Sequence, residues 1–137
     1  MRPATGERGS GPLMTAAAVF VDGEDLHRIR ASLAADGVEV VHTAGLDEAI
    51  QTPAPVILLD ADGHQAWADA LRTAVEKRPK ARVVILARQA DERMWVEVLS
   101  LGAHDLLPKP FRASEVRSVV LGALQTSLPV SATVAVA

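Results

Sequence analysis

The chain has 137 residues, the length of one domain, which argues against two independently folded units. Fourteen Lys and Arg against 17 Asp and Glu give a formal net charge of -3, so the chain lacks the basic field that holds nucleic acid without regard to sequence. Cysteine is absent, which excludes disulfides and thiolate chemistry, and the apolar run from Leu13 to Val21, broken by Thr15, is too short to span a bilayer, so a cytoplasmic domain with no membrane contact is expected.

Residues 1–15 mix Gly, Pro, Ser and Arg without periodicity and read as a flexible leader. The run Ala16 to Val21, stopped by Asp22 and Gly23, predicts a buried strand. Leu26, Ile29, Arg30 and Leu33 then recur at helical spacing between Glu24 and Asp36, with Gly37 as the stop. A second strand is expected at 38–42, followed by a short helix through Leu46, Ala49 and Ile50 that ends before Pro53 and Pro55. VILLD at 56–60 reads as a third strand, and Trp67, Ala70, Leu71, Ala74 and Val75 as the face of the next helix.

Beyond Pro79, RVVILA at 82–87 predicts a fourth strand, and Met94, Trp95, Val98 and Leu99 mark a helix closed by Gly102. DLLP at 105–108 fits a brief fifth strand with Pro108 at its end, and Val116, Val119, Val120, Ala123 and Leu124 line the last helix. Residues 126–137 form an uncharged tail whose order is left open. Five strand–helix units in this cadence predict an α/β fold: a three-layer, doubly wound, five-stranded parallel sheet. Aromatics make up only 3% of the chain, so its core must be aliphatic.

Ligands of such sheets collect beyond the carboxyl ends of the strands. Asp22, Asp60 and Ala87 end strands one, three and four, and Lys109 follows strand five, so two carboxylates and an ammonium are expected to meet there. That grouping suits a hard cation or a phosphoryl group, with Asp60 as the candidate nucleophile. Helix capping by strand-end aspartates is the competing explanation. His27, His42, His64 and His104 show no zinc spacing, and GxGxxG, P-loop and GxSxG motifs are absent.

VFVDGED, VILLDAD, VVILA and LGAHDLLPKPF, with their spacing, resemble the receiver (CheY-like) domain of bacterial two-component response regulators over residues 16–125. The resemblance implies a flavodoxin-like sheet of strand order 2-1-3-4-5 and a non-enzymatic role in signal transduction. It makes Asp60 the acceptor of a phosphoryl group from a histidine kinase, Lys109 the conserved lysine with a cis bond to Pro110, and Asp22 the first of a pair of acidic metal ligands for Mg2+. It also implies a partner-binding or homodimer face on helix four, strand five and helix five, here spanning 91–101, 105–108 and 112–125. Arg88, Arg93, Arg112 and Arg117 are available there for ion pairs, and Trp95 either fills the core with Val98 and Leu99 or anchors an interface.

Departures from the family pattern are equally specific. Gly23 stands where the second acidic ligand is expected, leaving Glu24 as a weak substitute; Ala87 replaces a hydroxyl residue; and Leu106 replaces the switch aromatic. Asp62 either helps hold a cation or forms an Asx turn with Gly63, and His64 lies near the same rim or faces solvent. The favoured expectation is therefore an atypical or phosphorylation-independent interaction module. The alternative is a Mg-dependent phosphoacceptor using Asp60, Asp22, Asp62 and Lys109, and a small hydrolase on this fold lacks a base and a pocket.

Overall fold

The computed structural model describes residues 14–127, so the expectations for residues 1–13 and for the tail at 128–137 lie outside the described residues. Five strands and five helices alternate: β1 (Met14–Val19), α1 (Gly23–Leu33), β2 (Val38–His42), α2 (Leu46–Gln51), β3 (Val56–Asp60), α3 (Trp67–Lys77), β4 (Arg82–Ala87), α4 (Glu92–Ser100), β5 (Asp105–Pro108) and α5 (Ala113–Ser127). All strand pairs are parallel, and their spatial order is β2-β1-β3-β4-β5, the expected 2-1-3-4-5 arrangement.

The continuous apolar runs of β1, β3 and β4 follow from their central positions, since helices cover both faces of the sheet. Alternate residues of one run serve opposite cores. Ala16, Ala18, Val56, Leu58, Val84 and Leu86 join Ile29 and Leu33 of α1 and Val116 and Val120 of α5. Ala17, Val19, Ile57, Leu59, Val83 and Ile85 face Ala49, Leu71, Ala74 and Val98 on the other side. The abundance of alanine where helix meets sheet lets these layers approach without aromatic filler.

Several expected boundaries shift. β1 starts at Met14 and ends at Val19, because Phe20 takes a left-handed backbone conformation (φ 63°) that ends strand pairing. Met14 and Thr15 pair with Val38 and Glu39, so the leader ends earlier than residue 15, and α5 continues through Ser127 rather than stopping at 125. Helix α1 closes in a short 3-10 turn (Ala34–Asp36), with Gly37 at φ 72° as its stop.

On α4 the expected core face is narrower. Val98 is fully buried, Met94 and Trp95 pack partly against the α2–α3–α4 core, and Leu99 is 46% exposed. Leu101, past the helix end, packs against that core instead. Arg78 binds the opposite end of the sheet from the candidate site: its Nη1 donates to the carbonyls of Ile50 (3.2 Å) and Thr52 (2.6 Å), and its Nη2 to that of Ala54 (2.7 Å). This guanidinium joins the end of α3 to the segment that leads into β3.

Candidate functional site

Parallel pairing brings the carboxyl ends of β1, β3, β4 and β5 to one edge, and that edge gathers the charged residues. Asp60 ends β3 almost wholly buried, its side chain 2% exposed. Its Oδ1 accepts from the backbone N–H groups of Asp62 (2.8 Å) and Gly63 (3.0 Å), and its Oδ2 from Lys109 Nζ at 2.6 Å. Lys109 follows β5, its bond to Pro110 is cis as the family resemblance implies, and its side chain is 8% exposed.

The ammonium serves more than one carboxylate. Lys109 Nζ also lies 3.3 Å from Asp25 Oδ2 and 3.2 Å from Asp62 Oδ2, so its three N–H donors face three separate side chains. Burial pushes the Asp60 carboxyl above its ordinary value, against the opposing pull of Lys109 and the two amides. For Lys109, burial disfavours the charged form, but the bonds to Asp60, Asp62 and Asp25 outweigh it and hold its pKa above the usual lysine value.

The other expected site residues divide. Asp22 caps α1, its Oδ1 accepting from Asp25 N–H at 2.8 Å, which is the capping role set against ligation at the sequence level. Glu24 points outward and pairs with Arg28 at 3.3 Å with both side chains largely exposed, so it does not reach Asp60. Asp62 does not form an Asx turn with Gly63. Asp60 supplies the turn acceptor instead, and Asp62 Oδ2 accepts from Arg88 N–H at 2.9 Å, crossing from the β3–α3 loop to the end of β4. Ala87 and Leu106 are buried in the core with no hydroxyl to offer.

Three participants were not anticipated. Asp25 continues the buried stripe Ile29 and Leu33 one turn toward the N-terminus, and that helical spacing is the signal that could have found it. Phe20 stands beside the site, lining the same small cavity as Asp60. Its ring stacks on His64, with centroids 4.3 Å apart and planes 17° apart, while His64 Nδ1 accepts from Ala66 N–H at 3.1 Å. Gly63 passes so close to the Phe20 carbonyl that a Cβ there would sit 2.2 Å from its oxygen. No alternation or motif announces that contact. A small cavity of about 130 Å3 remains above Asp60, lined by Phe20, Asp22, Asp62, Gly63, Arg88 and Lys109.

A Mg2+ ion needs several oxygen ligands converging on one point in near-octahedral order. Among the described residues the three carboxylates that converge, those of Asp25, Asp60 and Asp62, do so on the Lys109 ammonium. Asp22 is engaged as a cap, position 23 has no carboxylate, Glu24 is turned away, and the remaining three carboxylates surround the Lys109 ammonium. The side chains present do not fit the metal that the resemblance implies.

No protein-family model matches the chain, and no curated protein matches it. Solved structures do. A response regulator from Thermotoga maritima superimposes with a TM-score of 0.75 at 19% identity, covering 83% of this chain and 99% of that one. A CheY-like receiver domain protein from Methanospirillum hungatei matches with a TM-score of 0.73 at 20% identity, covering 85% and 97%. The chain has the receiver fold. The same receiver fold matches NtrX from Brucella abortus (TM-score 0.73, 22% identity) over 85% of this chain but only 27% of that longer chain. Asp60 at the end of β3 and Lys109 after β5 meet at the strand ends, and the acidic residue reaching that lysine from α1 is Asp25.

Proposed function

We infer that this receiver-fold chain is a signalling domain that works by protein interaction without phosphorylation of Asp60. The observation that carries this reading is the set of partners already on the Asp60 carboxylate, two backbone amides on Oδ1 and the Lys109 ammonium on Oδ2. Forming an O–P bond removes the Asp60 charge that Lys109 pairs with at 2.6 Å, so phosphoryl transfer works against this buried ion pair. The interior also lacks a relay: Ala87 cannot donate to a phosphoryl oxygen, and Leu106 is already packed in the core. Receivers act by biasing a surface rather than by turnover, and a domain with its site internally satisfied keeps one surface. That surface is the α4–β5–α5 face, where Val96 is 64% exposed and Trp95, Pro108 and Val119 line a shallow groove; its partner is another signalling protein or a second copy of this chain.

A second reading keeps Asp60 as a phosphoacceptor. The cavity above its carboxylate and the adjacent Lys109 support it: the P–N bond of a phosphohistidine would break as an Asp60 O–P bond forms, with Lys109 countering the charge on the transferred oxygens. Intact mass after incubation with acetyl phosphate and Mg2+ separates the two. The favoured reading expects no adduct on wild type beside a control receiver that labels. A labile phosphoryl adduct that disappears in Asp60→Asn overturns it.

A further inference from the structure

We propose that a second cavity, between the β3–α3 and β4–α4 loops, binds a planar aromatic carboxylate, with its ring against Trp67 and Met94 and its charge on Arg88. The cavity has a volume of about 380 Å3, within the range of small-molecule sites, and it shares Asp62 and Arg88 with the smaller cavity above Asp60. Asp60 does not line it, so its occupancy does not depend on whether Asp60 takes a phosphoryl group.

The lining supplies two kinds of recognition. Trp67, the first residue of α3, and Met94 of α4 pack only in part against the core on that side of the sheet, so each leaves apolar surface to the cavity. Ala61 and Ala87 end at a methyl group, which keeps the space open. An indole and a polarizable thioether suit a flat π-system better than a branched aliphatic one. The sign of the ligand's charge follows from what is already paired. Asp62 Oδ2 accepts from the Arg88 N–H at 2.9 Å and stands 3.2 Å from Lys109 Nζ, so its charge is offset. The exposed Arg88 guanidinium, by contrast, forms no hydrogen bond or ion pair among the described residues, and Gln89 adds an amide beside it. A free guanidinium holds a carboxylate through two parallel N–H donors. A dianion is disfavoured, because the Asp62 carboxylate lines the same cavity. An occupant here also touches α4, the helix that carries the exposed Val96.

The test is an amide NMR titration of the full chain with naphthoate, against naphthalenemethanol as the neutral analogue, cyclohexanecarboxylate as the non-aromatic one and naphthyl phosphate as the dianion. Naphthoate is expected to give saturable shifts confined to the amides of Ala61, Asp62, Trp67, Arg88, Gln89 and Met94, with a Kd of about 1 mM. Each analogue is expected to bind about fivefold more weakly. In Arg88→Met, naphthoate should fall by about fivefold to the affinity of naphthalenemethanol, whose own binding stays unchanged. The proposal is overturned by a titration with naphthoate that shows no saturation by about 10 mM, or by shifts centred instead on Leu107 and Val119 of the α4–β5–α5 groove. Wild-type binding of any analogue as tight as that of naphthoate overturns it too, without recourse to a variant, as does Arg88→Met binding naphthoate within about twofold of wild type. Neither a kinase nor a small-molecule phosphodonor enters the titration, so its failure and the failure of the phosphorylation-independent reading are separate results.

Discussion

Replacing Lys109 by methionine is the most direct probe of how the site is held together. Methionine keeps most of the buried stem and removes only the charge, so the loss reports on the carboxylates left behind. Asp60 matters most, because its side chain is 2% exposed, against 18% for Asp25 and 36% for Asp62. Breaking a buried pair by removing one partner costs about 3–5 kcal/mol; the two better hydrated aspartates add little, so a loss near the lower end, about 3 kcal/mol at neutral pH, is expected. At roughly 4 °C per kcal/mol for a domain of this size, Tm should fall by about 12 °C. The loss is pH-dependent in a defined direction. Burial already raises the Asp60 pKa in the folded protein, and removing Lys109 takes away the main opposing influence. The folded variant then binds more protons than the unfolded chain between the ordinary carboxylate value and the raised one, so its stability falls as pH rises through that window and recovers as pH is lowered. Urea unfolding of both proteins at about pH 5 and pH 8 should show the deficit smaller at the lower pH, with a slope of at most about 1.4 kcal/mol per pH unit for one proton. A variant within about 0.5 kcal/mol of wild type at neutral pH, or a deficit that grows on acidification, would refute the assignment of Lys109 as the partner of a buried carboxylate.

Gly63→Ala should lower stability by about 2 kcal/mol or more, measured by urea unfolding, because its Cβ would meet the Phe20 carbonyl oxygen at 2.2 Å and that obstacle is backbone. The same variant should loosen the two amide bonds to Asp60, seen as faster hydrogen exchange at Asp62 and Gly63. Arg78→Met should cost about 2–3 kcal/mol, since three carbonyls of the segment between α2 and β3 lose a charged donor at once, and wild-type stability in the variant would contradict that placement. On α4, Val98→Ala should destabilise by about 1–3 kcal/mol while Val96→Ala changes stability by less than about 0.5 kcal/mol; the reverse order would mean that the helix is rotated from the position described.

The alternation of apolar strand and amphipathic helix determined the fold from the sequence alone, and the reason is local. Residues 56–59 and 83–87 are wholly apolar because both faces of a central parallel strand are buried, and Gly37 stops its helix because it takes φ 72° without strain. The meeting of Asp60 with Lys109 was also legible, because parallel strands deliver their ends to one edge whatever the separation in sequence. What the residues do there was decided only in three dimensions. Asp22, the nearer acid by motif, spends its carboxylate on the helix cap, and Asp25, three residues later, reaches the lysine; side-chain direction on the first turn separates them, which strand-end position does not encode. Phe20 enters beside Asp60 through a single left-handed residue, and Gly63 is required by the backbone it passes. The absence of cysteine and of a basic field narrowed the chemistry at the outset, but the net charge of -3 is a sum over the whole chain. The distribution of that charge at the site, three carboxylates around one buried ammonium, depends on distances that only tertiary packing sets.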